Sequence, residues 1–201
     1  MPADTDPDAA LMLRVRQGDM DAFAELVDKY KQPVLNVACR MLRDATEAED
    51  LSQNVFVQVY KSADRYKVSA KFSTWLFTIV RNLCLNEIRR RSRHPADSLE
   101  AATAEREGSA PVQFEDRKAV IPNDSAIESE LAAKIEAALA ELPENQRTAI
   151  LLCRDQDMSY EDIGKIIGAS LSATKSLIHR GRETLKQKLK PYLKTGAWKD
   201  T

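Results

Sequence analysis

The stretch KFSTWLFTIVRNLCLNEIRRRSR, Lys71 to Arg93, decides how this chain is read. Phe72, Trp75, Leu76, Ile79, Val80 and Leu83 recur at i, i+3, i+4, i+7, i+8 and i+11, the spacing of one apolar helix face. A second side, made of Thr78, Arg81, Asn82, Leu85 and Arg89, also follows helical spacing. The helix then runs into Arg89, Arg90, Arg91 and Arg93, more cations than one helix end needs to offset its dipole. Ahead of it, DRYKVSAKFSTW (Asp64–Trp75) alternates polar and aromatic residues. Polar groups beside aromatic rings and a cationic stem can grip an unstacked DNA strand. One face of this helix is therefore core, and the other is a candidate nucleic-acid surface.

Helical spacing continues on both sides. Upstream, Asp19 reads as a cap before Phe23, Leu26, Val27 and Tyr30. Pro33 is expected to open the next helix, where its missing N–H is harmless, followed by Val34, Val37, Ala38, Met41 and Leu42. A third helix begins near Thr46 and places Ala48, Leu51, Val55, Phe56 and Val59 on one face. Opposite that stripe, Glu47 and Asp50 stand one turn apart, with Glu49 and Gln53 beside them. These carboxylates have no His, Ser or metal-ligand company, so they do not suggest catalysis; taken alone they read as a solvated face, and the functional alternative is docking onto a basic protein element.

Downstream of Arg93 the periodicity stops. From His94 to Glu130 there are three basic residues against nine acidic ones, a net of −6, and Pro95, Pro111 and Pro122 break any helix. This composition reads as a flexible acidic linker. Helical spacing returns at Ile127, Leu131, Ile135, Ala138 and Leu139, then in a helix with Pro143 near its first position and Ile150 and Leu151 inward. In MSYEDIGKIIGASLSATKSLIHRGRETLKQKL (Met158–Leu189), Ser159 and Asp162 form a capping arrangement ahead of Ile163, Ile166 and Ile167. Gly168 supplies a turn, and Ser170 or Ser172 caps a long helix carrying Thr174, Ile178, Gly181, Leu185 and Leu189 inward. Short helix, turn and longer basic helix make a helix-turn-helix, whose second helix enters the major groove. Its outward side shows Lys175, Ser176, His179, Arg180, Arg182 and Lys186, and Thr174 to Lys199 carries a net of +7.

The expected fold is all-α. Two small helical domains, residues 1–94 and 127–201, are joined by the flexible acidic linker 95–126, and the C-terminal one contains the helix-turn-helix. With 30% charged, 6% aromatic and only 6 Gly in 201 residues, the composition argues against a hairpin-rich β fold. Cys39, Cys84 and Cys153 are odd in number and set in apolar helical surroundings, as buried free thiols of a reducing compartment are. The acidic start MPADTDPDAA lacks the apolar core of a signal peptide, and the longest apolar run, Ala149–Cys153, is too short for membrane insertion. A cytoplasmic protein without cofactor, metal or catalytic residues is expected, since His94 and His179 have no triad or ligand company.

The segments Asp44–Lys61, Ala70–Arg91, Ala138–Leu152, Ser159–Gly168 and Lys175–Leu185, in that order, resemble an extracytoplasmic-function (ECF) sigma factor. The resemblance covers roughly Leu11 to Leu193 in two blocks. It implies a subunit that binds core RNA polymerase through β′ and β, recognises −10 and −35 promoter elements, and aids DNA melting. It implies polymerase clamp contact by Glu47, Glu49, Asp50, Leu51 and Gln53. It assigns the −10 element to Asp64, Lys71, Phe72, Ser73, Trp75, Arg81, Asn82, Arg89 and Arg90, and the −35 element to Ser172, Lys175, Ser176, His179, Arg180 and Arg182. The linker would thread the RNA exit path, and an anti-sigma factor or other regulatory protein is an implied partner. Asn54 stands where the family has Glu, Leu177 where it has Arg, Gly164 and Gly181 where it has Ala, and Ser172-Ala173-Thr174 where it has Gly-Thr-Val. The residues also fit a free-standing helix-turn-helix regulator, which would have no need of the N-terminal strand-holding block.

Overall fold

The computed structural model describes residues 6–93, 125–156 and 158–194. The expected linker lies outside them except for Ser125 and Ala126, which already open a helix. The described residues form eight α-helices and one 3-10 turn, with no strand among them. They fall into two units.

The N-terminal unit holds α1 (Pro7–Arg16), α2 (Met20–Leu42), α3 (Ala45–Lys61), the 3-10 turn Ala63–Arg65 and α4 (Phe72–Arg93). Aspartates start the first three helices. The side chains of Asp6, Asp19 and Asp44 accept from the N–H groups of Asp8, Ala22 and Glu47, answering donors that a helix start leaves open. Apolar periodicity does not separate α1, although Asp6-Pro7 is a cap followed by proline at the first helical position.

Pro33 does not open a helix as expected; it lies inside the continuous α2. Leu26, Tyr30, Val34, Val37, Ala38 and Met41 form one buried stripe that stays in phase across the proline. An interior proline costs ~3 kcal/mol, whereas burying each large apolar side chain contributes about 1.5–3 kcal/mol, so the stripe prevails. The helix ends where Arg43 takes the left-handed conformation at φ 61°.

The buried face of α4 also departs from the expected stripe. Phe72, Leu76, Phe77, Val80, Cys84 and Leu85 are buried, while Trp75, Ile79 and Leu83 are only half-buried. The helix is rotated by roughly a quarter turn from the expected apolar face, at about 100° per residue. Leu85, expected on the outer side, belongs to the core. The reason is tertiary: α1, α2 and α3 all pack against α4 and cover it from more directions than one stripe serves.

The C-terminal unit holds α5 (Ser125–Ala140), α6 (Glu144–Asp155), α7 (Tyr160–Ile167) and α8 (Leu171–Lys194). Leu139, Leu142, Leu151, Leu152, Ile163 and Ile178 are central to its core. The Arg147 side chain donates to the carbonyls of Leu139, Ala140 and Leu142, so a cation closes the C-terminal end of α5. Pro143 precedes α6 as its cap residue. Ser159 Oγ accepts from Asp162 N–H and bonds the Asp162 carboxylate at 2.8 Å, the capping arrangement expected. Gly168, at φ 70°, ends α7, and Ser170 rather than Ser172 caps α8 by accepting from Ala173 N–H.

Candidate nucleic-acid interface

Along α4, Trp75, Asn82 and Arg89 follow at seven-residue steps, so they share one helix side. Asn82 and Arg89 are exposed, and Trp75 is half-buried at the edge of the core. Asp64 and Lys71 are exposed on the connection before α4, with Ser73 half-buried. Phe72 is different. At 1% exposure it is a core residue, not part of the exposed surface. Its ring packs against Tyr30, Tyr66 and Trp75 at centroid distances of 5.4, 6.3 and 5.8 Å. Tyr66 meets Trp75 edge-on at 4.9 Å. Arg81 is half-buried.

The arginine run has a second use that the sequence did not reveal. Arg90 and Arg91 both hydrogen-bond the Glu87 carboxylate, at 2.8 and 2.9 Å. They also reach α3: Arg90 lies 3.6 Å from Glu47, and Arg91 lies 3.7 Å from Glu47 and 3.5 Å from Asp44. The hydrogen bond from Arg90, followed by that from Arg91, holds the Glu87 carboxyl below the ordinary glutamate range. Two residues assigned to different partners, Glu47 and Arg90, are thus brought together within the chain.

On α3, Glu49, Asp50 and Gln53 are exposed beside Asn54, whereas Leu51 is buried in the core at 7%. The outward acidic surface is therefore Glu49, Asp50 and Gln53. Burial of the α2 and α4 thiols pushes Cys39 up to about 11 and Cys84 up to about 12, which disfavours the nucleophilic thiolate. Cys153 is only half-buried, less than expected, and Arg182 donates to its sulfur at 3.5 Å.

On α8, Lys175, Ser176, His179 and Arg180 are exposed and line one open hollow. Ser172 is exposed in the first turn. Arg182 is exposed but turned toward Cys153 of α6 rather than into the hollow. Leu177 is half-buried. A cationic, hydroxyl-bearing helix face after a tight turn can reach both base edges and phosphates. Among the described residues no group of three His, Cys, Asp or Glu is placed to hold a metal, and no helix is long and apolar enough to cross a membrane.

Residues 26–94 match the family Sigma-70 region 2, and residues 132–185 match Sigma-70, region 4. The chain is 36% identical to the ECF RNA polymerase sigma factor SigW of Bacillus subtilis, over 88% of this chain and 94% of the relative. It is 33% identical to the RNA polymerase sigma-H factor of Pseudomonas aeruginosa, over 93% and 96%. Among solved structures, CnrH in complex with the cytosolic domain of CnrY superposes with a TM-score of 0.68 at 22% identity, covering 92% of this chain and 99% of that one. The sigma factor RpoE in complex with the anti-sigma factor NepR from Bartonella quintana superposes with a TM-score of 0.64 at 24% identity, covering 84% and 96%.

Proposed function

Because this chain belongs to the extracytoplasmic-function sigma factors of RNA polymerase, we propose that its three polar faces divide the work of promoter recognition. As a sigma factor it directs initiation by core RNA polymerase at specific promoters. The exposed side of α3, Glu49, Asp50 and Gln53, meets the basic clamp of β′, with Glu47 at its margin. The connection Asp64–Lys71 and the α4 side Trp75–Asn82–Arg89 hold the melted −10 strand, the indole offering a stacking edge and the cations the phosphate contacts. The α8 face of Lys175, Ser176, His179 and Arg180 reads the −35 duplex, and Ser172 and Arg182 flank it.

The observation that carries this reading is the exposed polar line on α4 beside an aromatic cluster, a surface that a free-standing duplex-binding regulator does not need. The polymerase supplies the chemistry, so this chain contributes no catalytic group, and it works in the cytoplasm, where its polymerase is. The acidic segment between the two domains, residues 95–126, occupies a channel shaped for RNA, to which its negative charge is suited. A regulatory protein of the anti-sigma type is a further partner, as the anti-sigma factor NepR is for RpoE in their complex.

The test is run-off transcription with purified core polymerase and a library of genomic upstream fragments. Transcripts that appear only with this protein, from a shared upstream motif, are expected. Tight duplex binding by the protein alone, without transcripts, would favour the free-standing regulator. On the promoter so found, Asn82→Ala is expected to impair opening, read by permanganate footprinting, more than polymerase binding. Full melting by the variant would count against the strand-holding face.

A further inference from the structure

A single carboxylate at the start of the chain reaches the beginning of α4. Asp6 Oδ1 accepts from Asp8 N–H at 3.1 Å and so caps α1. Its other oxygen, Oδ2, accepts from Phe72 N–H at 2.6 Å, across 66 residues of sequence. Phe72 is the first residue of α4, and the first turn of α4 carries no acidic residue. The preceding side chain, Lys71, has no acceptor to offer. Helix starts leave N–H groups open and favour negative charge. Asp6 therefore supplies from α1 the cap that the local sequence of α4 lacks.

Asp8, two residues on, does a different job. It is 7% exposed and accepts from Lys29 Nζ at 2.6 Å and from Tyr30 Oη at 2.5 Å. These bonds tie α1 to α2. Tyr66, on the connection before α4, is also buried, and its hydroxyl has no hydrogen-bond partner among the described residues. Burial first, then the Asp6 and Asp8 carboxylates, push that hydroxyl up to about 12. Asp6 thus bonds the short connection that leads into α4 at its Phe72 end, and its charge acts on the Tyr66 hydroxyl at the other.

We infer that Asp6 is a positioning residue for capture of the melted promoter strand, acting through Phe72 N–H on the connection before α4 and on Trp75. The inference rests on the reading that this connection and the Trp75–Asn82–Arg89 side hold the strand. Its physical basis is preorganisation. A connection already fixed in its bound shape does not lose backbone freedom when the strand arrives. Asp6 itself touches no DNA in this scheme.

The experiment uses the full chain assembled with core polymerase and a fluorescent single-stranded oligonucleotide carrying the non-template −10 sequence. Asp6→Ala is expected to weaken oligonucleotide binding about five- to tenfold, the size of a lost helix cap, with core affinity unchanged. Asp6→Asn retains one acceptor oxygen in place of two and is expected to fall between Asp6→Ala and wild type. Asp8→Asn breaks the tie to Lys29 and Tyr30 and is expected to lower Tm while leaving oligonucleotide affinity intact below the melting transition. The inference is overturned if Asp6→Ala binds as wild type does, or if Asp8→Asn loses as much affinity, since Asp6 would then act only through the stability of α1. Asn82→Ala, expected to weaken the same binding, separates the two ideas. If Asn82→Ala weakens binding and Asp6→Ala does not, only the positioning role falls. If Asn82→Ala leaves binding intact, the strand-holding face falls and the positioning role with it.

Discussion

Gly164 shows how a residue that costs helix propensity can still be required. Read locally, glycine in a helix loses up to ~1 kcal/mol against alanine. In the fold, a Cβ at Gly164 would lie 2.9 Å from the Ala169 carbonyl oxygen and 3.0 Å from Thr174 Oγ1. The first is backbone in the turn between α7 and α8 and cannot rotate away. The second belongs to the Ser172-Ala173-Thr174 segment, so two departures from the family pattern meet in space. Gly164→Ala is expected to destabilise the C-terminal unit by about 1–3 kcal/mol, as overpacking does, despite the propensity gain. Denaturant unfolding of the variant measures it, and an unchanged or raised midpoint would show that the turn can yield. At Gly181 the crowding atoms belong to the Ile150 side chain, with Cγ1 at 3.0 Å and Cδ1 at 3.3 Å. That chain can shift, so the close approach of α7 and α8 at Gly164 is the stricter constraint.

Between elements, the α3–α4 ion-pair cluster changes how the arginine run is understood. Arg90 and Arg91 are not simply cations awaiting phosphate, because Glu87, Glu47 and Asp44 surround them. Arg89 is exposed and in line with Asn82, on the side of α4 proposed to hold the strand. Glu87 is the hub, and its carboxyl is held below its ordinary value. A depressed folded pKa gives stability that is present above the unfolded value and lost as pH falls through the folded one. Wild type should therefore exceed Glu87→Gln in Tm at neutral pH, and the gap should close as pH drops below about 4.3, the ordinary glutamate value. Thermal melts of both proteins across acid pH test this, and a gap independent of pH would mean that Glu87 acts by packing rather than by charge.

Across the whole molecule, a net charge of −1 conceals a strong segregation, −6 over His94–Glu130 and +7 over Thr174–Lys199. Different charge in different segments suits a protein that works with both core RNA polymerase and promoter DNA. Asp50 tests the first of these. It is exposed on α3, so Asp50→Arg should leave folding stability within about 0.5 kcal/mol. On the clamp contact proposed for this face it sets a cation against a basic surface, and a titration with core polymerase should show affinity falling about tenfold or more. Unchanged affinity would overturn the proposed polymerase contact on this face of α3. Asp50→Arg and Asn82→Ala should also fail differently, the first at assembly and the second at opening.

Helical class, the two-block organisation, the helix-turn-helix and its outward residues were all readable from the sequence. Apolar spacing, caps and turn glycines are local signals that each helix carries within its own few turns. Lys175, Ser176, His179 and Arg180 fall together on one exposed face for the same reason. Tertiary structure decided the rest. It carried α2 through Pro33, since a buried stripe on both sides outweighs one missing hydrogen bond. It turned α4 so that Phe77 and Leu85 are core, and it buried Phe72 and Leu51 in that core as well. It joined Glu47 to Arg90 and Asp6 to Phe72. Each of these depends on a contact between residues far apart along the chain, and such a contact leaves no periodic mark in the sequence around either one.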